Sequence, residues 1–116
     1  MANSRFSIGI DLGTTNCAMA YIDSQKEDGT AEVLNLPQIV QPGVYEDRKL
    51  LPSFLYLPQK GEFQNGAFKL PWGEEQPFIV GEFAKTLGAL VPTHLVSSAK
   101  SWLCHTAVNR RDKILP

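Results

Sequence analysis

The stretch Ile8-Gly9-Ile10-Asp11-Leu12-Gly13-Thr14-Thr15-Asn16 sets a carboxylate and a hydroxyl-rich turn between two apolar runs. Each part has a chemical use. Gly13 lacks a Cβ and is free to take a positive φ, so backbone N–H groups of the turn can approach an anion closely. Thr14 and Thr15 add hydroxyl donors. A carboxylate beside a phosphate repels it unless a cation lies between them, which makes Asp11 a candidate outer-shell partner of hydrated Mg²⁺. Far along the chain, Lys100 offers an ammonium, the group that can stabilise charge spread over γ-phosphate oxygens during phosphoryl transfer. The set suits nucleotide phosphates with a metal. As a bare pattern, the same turn is equally an ordinary hairpin whose Asp and Thr side chains satisfy turn hydrogen bonds, and Lys100 alone reads as a solvated helix lysine. Neither a Walker A pattern nor G-x-G-x-x-G occurs, so the two commonest glycine-loop nucleotide sites are excluded.

Other reactive side chains carry less. Cys17 and Cys104 lie far apart with no paired spacing, which gives no support to a disulfide framework or a zinc site and favours small buried thiols. His94 and His105 have no partner at ligand spacing. Trp102 falls on the apolar face of a predicted helix and is expected in the core, whereas Trp72 falls in a long loop and stays unassigned. With a net charge of −1 the chain has no basic field for nucleic acid, and Arg110, Arg111 and Lys113 read as a solvated turn. The 116 residues, 43% hydrophobic and 20% charged, match a soluble globular chain of one domain. No apolar run approaches a bilayer span and the start does not resemble a secretory signal, so no membrane role is expected and the default location is cytoplasmic.

The elements that must hold these residues follow from periodicity. Phe6, Ile8, Ile10 and Leu12 alternate with Ser7, Gly9 and Asp11, predicting a strand with one face in the core and Asp11 on the other. Residues 17–22 form the return strand of a hairpin, and Asp28-Gly29 turns the chain into a third strand over 31–36, completing a β-meander. Residues 37–51, with two prolines and mixed charge, read as an irregular crossing. A short strand over 53–57 precedes a long loop from Pro58 to Pro77, of a kind that is either functional or mobile. Residues 78–80 give another short strand. Phe83, Leu87, Leu90 and Val91 recur at helical spacing, predicting a helix over 82–91 that Pro92 stops. Ser97 or Ser98 can cap a second helix, in which Ala99, Trp102 and Leu103 share a face with Lys100 at its margin.

On these residues the chain resembles a family. Gly9 to Asn16 looks like the first phosphate motif of Hsp70 chaperones of the bacterial DnaK type, of which sugar kinases and actin-like proteins share a looser version. Leu51-Pro52-Ser53-Phe54 is similar to the family's Thr-Pro-Ser segment. Val80-Gly81-Glu82-Phe83-Ala84-Lys85, Pro92-Thr93 and Ser98-Ala99-Lys100 resemble, in order, its Gly-Asp-Ala-Ala-Lys, Asn-Pro-Thr and Asp-Ala-Lys blocks. Cys17 stands where the family usually has Ser, and Ser101 where a basic residue is common, which marks a divergent member.

The resemblance implies a mixed α/β fold, part of a ribonuclease H-like or actin-like ATPase lobe, with residues 1–116 forming the first part of lobe I. It implies that Asp11 touches Mg²⁺ through water, that Gly13, Thr14, Thr15 and Asn16 hold the β- and γ-phosphates of ATP, and that Lys100 is the catalytic lysine. Lys85 takes no such role and is expected as a surface charge. The implied parent is an ATP-dependent chaperone cycling between ATP and ADP, with the rest of the ATPase domain, unfolded peptide clients and co-chaperones as partners. A carbohydrate kinase or a nucleotide-gated scaffold of the same superfold is the alternative. The segment by itself is expected to bind ATP weakly and to hydrolyse it no faster than background, because the family's second phosphate loop and adenosine-binding stretch lie downstream.

Overall fold

The computed structural model describes residues 4–102, 104–107, 109 and 111. Strands β1 (Phe6–Leu12) and β2 (Asn16–Asp23) form the expected hairpin, in full antiparallel register from Phe6↔Asp23 to Leu12↔Cys17. Arg5 clasps its open end, with Nε and Nη2 donating to the two carboxylate oxygens of Asp23 at 3.2 and 3.0 Å. Asp28-Gly29 turns as predicted, with Gly29 at φ 54°. The third strand, β3 (Glu32–Val33), is shorter than expected and pairs with β2 through Ala20↔Val33 and Tyr21↔Glu32.

The crossing segment is not irregular. β4 (Leu36–Gln41) and β5 (Val44–Arg48) form a second hairpin about Pro42-Gly43, with a register shift between Ile39 and Gln41 and Gly43 at φ 74°. The two prolines are tolerated because one lies in a two-stranded ribbon and the other in the turn. β6 (Leu51–Pro52) then joins the edge of β2, and β7 (Phe54–Tyr56) is the middle strand of a three-stranded sheet between β8 (Ile79–Val80) and β9 (Leu95–Ser97). Every pairing among the described residues is antiparallel, so the chain is of mixed α and β content.

Helix α1 (Glu82–Leu90) forms where its apolar spacing places it and packs on β7, β4 and β8. Its first turn is fixed by a buried glutamine. Gln38 Oε1 accepts from Glu82 N at 2.9 Å, while Gln38 Nε2 donates to Leu50 O at 2.9 Å. Gly81 sits at φ 90° with Gln38 Oε1 and Leu51 Cδ1 only 2.6 Å from where a Cβ would stand, so no larger residue fits this entry to the helix. A 3₁₀ turn (Pro92–His94) and β9, neither expected from the sequence, lead to the short helix α2 (Ala99–Trp102). Leu103, Arg110 and Lys113, named above, lie outside the described residues.

The core is Ile39, Tyr56, Ile79, Phe83 and Ala84, extended by Phe54, Phe63, Phe68, Leu70 and Leu87. The 58–77 loop is therefore part of the fold. Tyr56 Oη donates to Glu62 Oε1 at 2.9 Å, and the Glu75 carboxylate accepts from Gly66 N and Phe68 N at 2.7 and 2.9 Å. By contrast, the apolar row of β1 is not in the core, since Ile8, Ile10 and Leu12 are 62–65% exposed. The helix covers the β7 sheet and β4 rather than the β1–β2 hairpin, and among the described residues no helix packs over that row. Trp102 is likewise exposed rather than core, and its ring faces His105 at 6.2 Å between centroids. Cys104 is exposed and Cys17 half-buried, so only the latter approaches the expected buried thiol.

Candidate functional site

The β1–β2 hairpin closes through Gly13, Thr14 and Thr15, with Leu12↔Cys17 as its last pair. Gly13 is required for a reason other than the expected one. Its φ is not in the left-handed region, and a Cβ built there would collide with the carbonyl oxygen of Asn16. The turn is thus too tight for any side chain at that position. Thr14 and Thr15 are exposed, and Asn16 is half-buried.

Two later stretches of chain meet this turn. β6 pairs with the start of β2 through Asn16↔Pro52 and Cys17↔Leu51, which delivers Ser53 to the turn. Ser53 N donates to Thr15 O at 2.9 Å, Ser53 Oγ donates to Gly13 O at 2.8 Å, and the same hydroxyl lies 3.4 Å from Cys17 Sγ. Ser53 immediately precedes β7, whose first pair with β9 is Phe54↔Ser97. That pairing brings the chain from Ser97 onward back to the hairpin. Ser98 takes φ 52°, α2 begins, and Lys100 Nζ donates to Leu12 O at 2.8 Å across 88 residues of sequence.

The residues predicted for phosphate chemistry are therefore adjacent: Gly13 to Asn16, with Lys100 on the Leu12 carbonyl that opens the turn. Asp11 stands one residue earlier, exposed, opposite Ala18 and on the face of β1 away from Leu12. Neither Asp11 nor Lys100 takes part in any of the ion pairs Arg5–Asp23, Lys26–Glu32 and Arg48–Glu46. Among the described residues there is no cluster of three His, Cys, Asp or Glu side chains able to hold a bare ion. A single free carboxylate fits a hydrated Mg²⁺ held through water, which keeps most of its own shell.

Sequence reasoning found Ser53 only as part of a matched block and gave it no task, and the Leu12 carbonyl carried no signal at all. The other histidine environment is structural. His94 stacks on Tyr56 at 5.9 Å, and its Nε2 faces Gln59 Nε2 at 3.2 Å. An apolar groove of about 310 Å³, lined by Leu36, Ile39, Leu70, Trp72, Phe78 and Val80 among others, shares no residue with the turn. Lys85, expected as a surface charge, is exposed. No helix is long and apolar enough to cross a membrane among the described residues. Compared with family models, curated proteins and solved structures, the chain matches none.

Proposed function

We propose that this chain is the N-terminal part of an Hsp70-like ATPase, supplying the first phosphate-binding turn and the catalytic lysine for ATP hydrolysis in a chaperone. The observation that carries the reading is the contact of Lys100 Nζ with Leu12 O, which puts an ammonium with no ion-pair partner among the described residues beside the Gly13–Asn16 turn. An ammonium beside a turn bearing exposed threonine hydroxyls forms a donor set that no carboxylate among the described residues pairs with, and a polyphosphate is the ligand that such a set fits.

In this reading Thr14 and Thr15 donate to phosphate oxygens, and Asn16 closes the turn behind them. Lys100 leaves the Leu12 carbonyl for the γ-phosphate, where its charge opposes the negative charge that develops on transfer and orients the attacking water. Asp11 would hold Mg²⁺ through water, and the ion, when bound, neutralises charge on the phosphate oxygens. The rest of the nucleotide-binding domain, the peptide clients and the co-chaperones lie with the parent protein in this proposal.

The test is turnover by the full-length protein. Stimulation of ATP hydrolysis by unfolded peptide, with no phosphorylation of sugars, is the expected result. Lys100→Ala should lower kcat roughly 10²–10³-fold, the usual cost of removing one preorganised transition-state donor. Sugar phosphorylation, or a Lys100→Ala protein as active as the parent, overturns the proposal.

A further inference from the structure

We propose that Ser53 is a positioning residue for the phosphate turn: it holds the Gly13–Thr14 peptide so that the N–H of Thr14 is presented to the ligand. This rests on the phosphate reading above and adds to it a residue that does not itself touch the ligand.

The argument is one of peptide geometry. A trans peptide is planar, and its C=O and N–H point in opposite directions. Ser53 Oγ donates to the carbonyl of Gly13 at 2.8 Å, so the N–H on the other end of that peptide, which belongs to Thr14, points away from Ser53. The second bond from the same residue, Ser53 N to Thr15 O at 2.9 Å, pins the next carbonyl but one to the same strand. Two carbonyls of the turn, those of Gly13 and Thr15, are drawn toward Ser53. Thr14, exposed on the turn, is left with its N–H and hydroxyl free of partners among the described residues.

The placement is built into the fold. Ser53 follows Pro52, which pairs with Asn16 at the end of the ladder, where a residue without an N–H is tolerated. Gly13 is the one residue whose close approach to Asn16 admits no Cβ, so the peptide that Ser53 holds is also the one the turn can least afford to rotate. Without the hydroxyl, that peptide would be held on one side only. A turn free to flip its peptide presents a carbonyl to the phosphate for part of the time, and apparent affinity falls by the fraction of time the competent form is populated.

The experiment is an amide-resolved NMR titration of the ¹⁵N-labelled full-length protein with Mg-ATP, with Ser53→Thr and Ser53→Val as an isosteric pair. Threonine keeps the hydroxyl and valine replaces it with a methyl group of similar size. In the parent chain the Thr14 amide is expected to shift on titration. Ser53→Thr should bind within about twofold of the parent, and Ser53→Val about tenfold more weakly, the scale of one lost hydrogen bond. In Ser53→Val the Thr14 amide should also exchange with solvent faster, while amides of the distant α1 helix are unchanged. Ser53→Ala, which keeps neither the hydroxyl nor the bulk, should behave as Ser53→Val. Equal affinity and equal Thr14 exchange in the Thr and Val variants would overturn the positioning role while leaving the phosphate reading intact. A full-length parent whose turn amides do not respond to Mg-ATP up to millimolar concentration would overturn both.

Discussion

Gln38 is 1% exposed, and both ends of its amide are engaged, one capping α1 at Glu82 N and the other holding Leu50 O. Replacing it with leucine keeps the volume but strands a helix donor and the Leu50 carbonyl, between β5 and β6, without partners. The expected cost is about 1–3 kcal/mol for each orphaned buried group, read as a lower urea midpoint at unchanged slope. Lys100 should behave in the opposite way. Its one bond is to a carbonyl at an exposed site, so Lys100→Ala is expected to change stability by no more than about 0.5 kcal/mol, and any loss of turnover then reports on chemistry. These residues also show what sequence could reveal at this scale. Asp11 and Gly13 stood out because a charge and a glycine at a tight turn are informative by type, whereas Lys100 stood out only through the block it shares with the resembled family. Ser53 and Gln38 did not, because a neutral polar residue has no periodic signature and their decisive bonds span 40 and 44 residues of chain.

The β1–β2 hairpin and α1 were legible because an alternating or 3.6-residue apolar pattern runs their whole length, and local pattern and final structure agree. The β4–β5 hairpin was not. Pro37 and Pro42 break the usual strand vocabulary, although Pro42-Gly43 between Ile39 and Tyr45 is a turn signal that a hairpin reading could have used. The 58–77 loop lacked any pattern, since it is fixed by carboxylates on backbone N–H groups and by aromatic rings on the core rather than by a ladder. Those carboxylates give the elements a pH dependence. Arg5 donation, then the N–H of Gln25, hold the Asp23 carboxyl below its ordinary value, and the N–H groups of Phe68 and Gly66 do the same for Glu75. A lowered folded pKa adds stability that is fully present above the unfolded value, near 4 for these groups, and is lost as pH falls through the folded one. Protection factors against hydrogen exchange in β1, β2 and residues 66–68 should therefore fall below about pH 4, ahead of those in α1. Asp23→Asn should remove the pH step in the hairpin and leave that in the loop. A single step shared by all three regions would show that the acid transition is global.

The molecule as a whole leaves more surface open than a closed domain of its length does. Its radius of gyration is 17.0 Å, against roughly 13 Å for a compact chain of 116 residues. Its accessible surface is 8738 Å², against roughly 6300 Å² for a folded monomer of this mass. Part of that open surface is apolar and lies on one strand. β1 pairs on one edge only, and Phe6, Ile8, Ile10 and Leu12 present an apolar row beside that free edge. Arg5 over the Phe6 ring at 4.9 Å and the edge-on Tyr21 shield only the first residue of the row. A seven-residue edge with apolar side chains and no inward charge is a template for another strand, and it lacks the lysines and prolines that commonly blunt such edges. The isolated chain is therefore expected to self-associate, with sedimentation that becomes concentration-dependent by about 100 µM. Ile8→Lys with Ile10→Lys should restore the monomer. Since those side chains are exposed, the substitutions remove little buried area, and the thermal midpoint of the core should move by less than about 2 °C. A parent chain that sediments as a monomer throughout the range, or a double variant that associates equally, would place the contact elsewhere. The groove below Trp72, the other large apolar surface of the fold, would then be the face to substitute, with Trp72→Lys as the corresponding change.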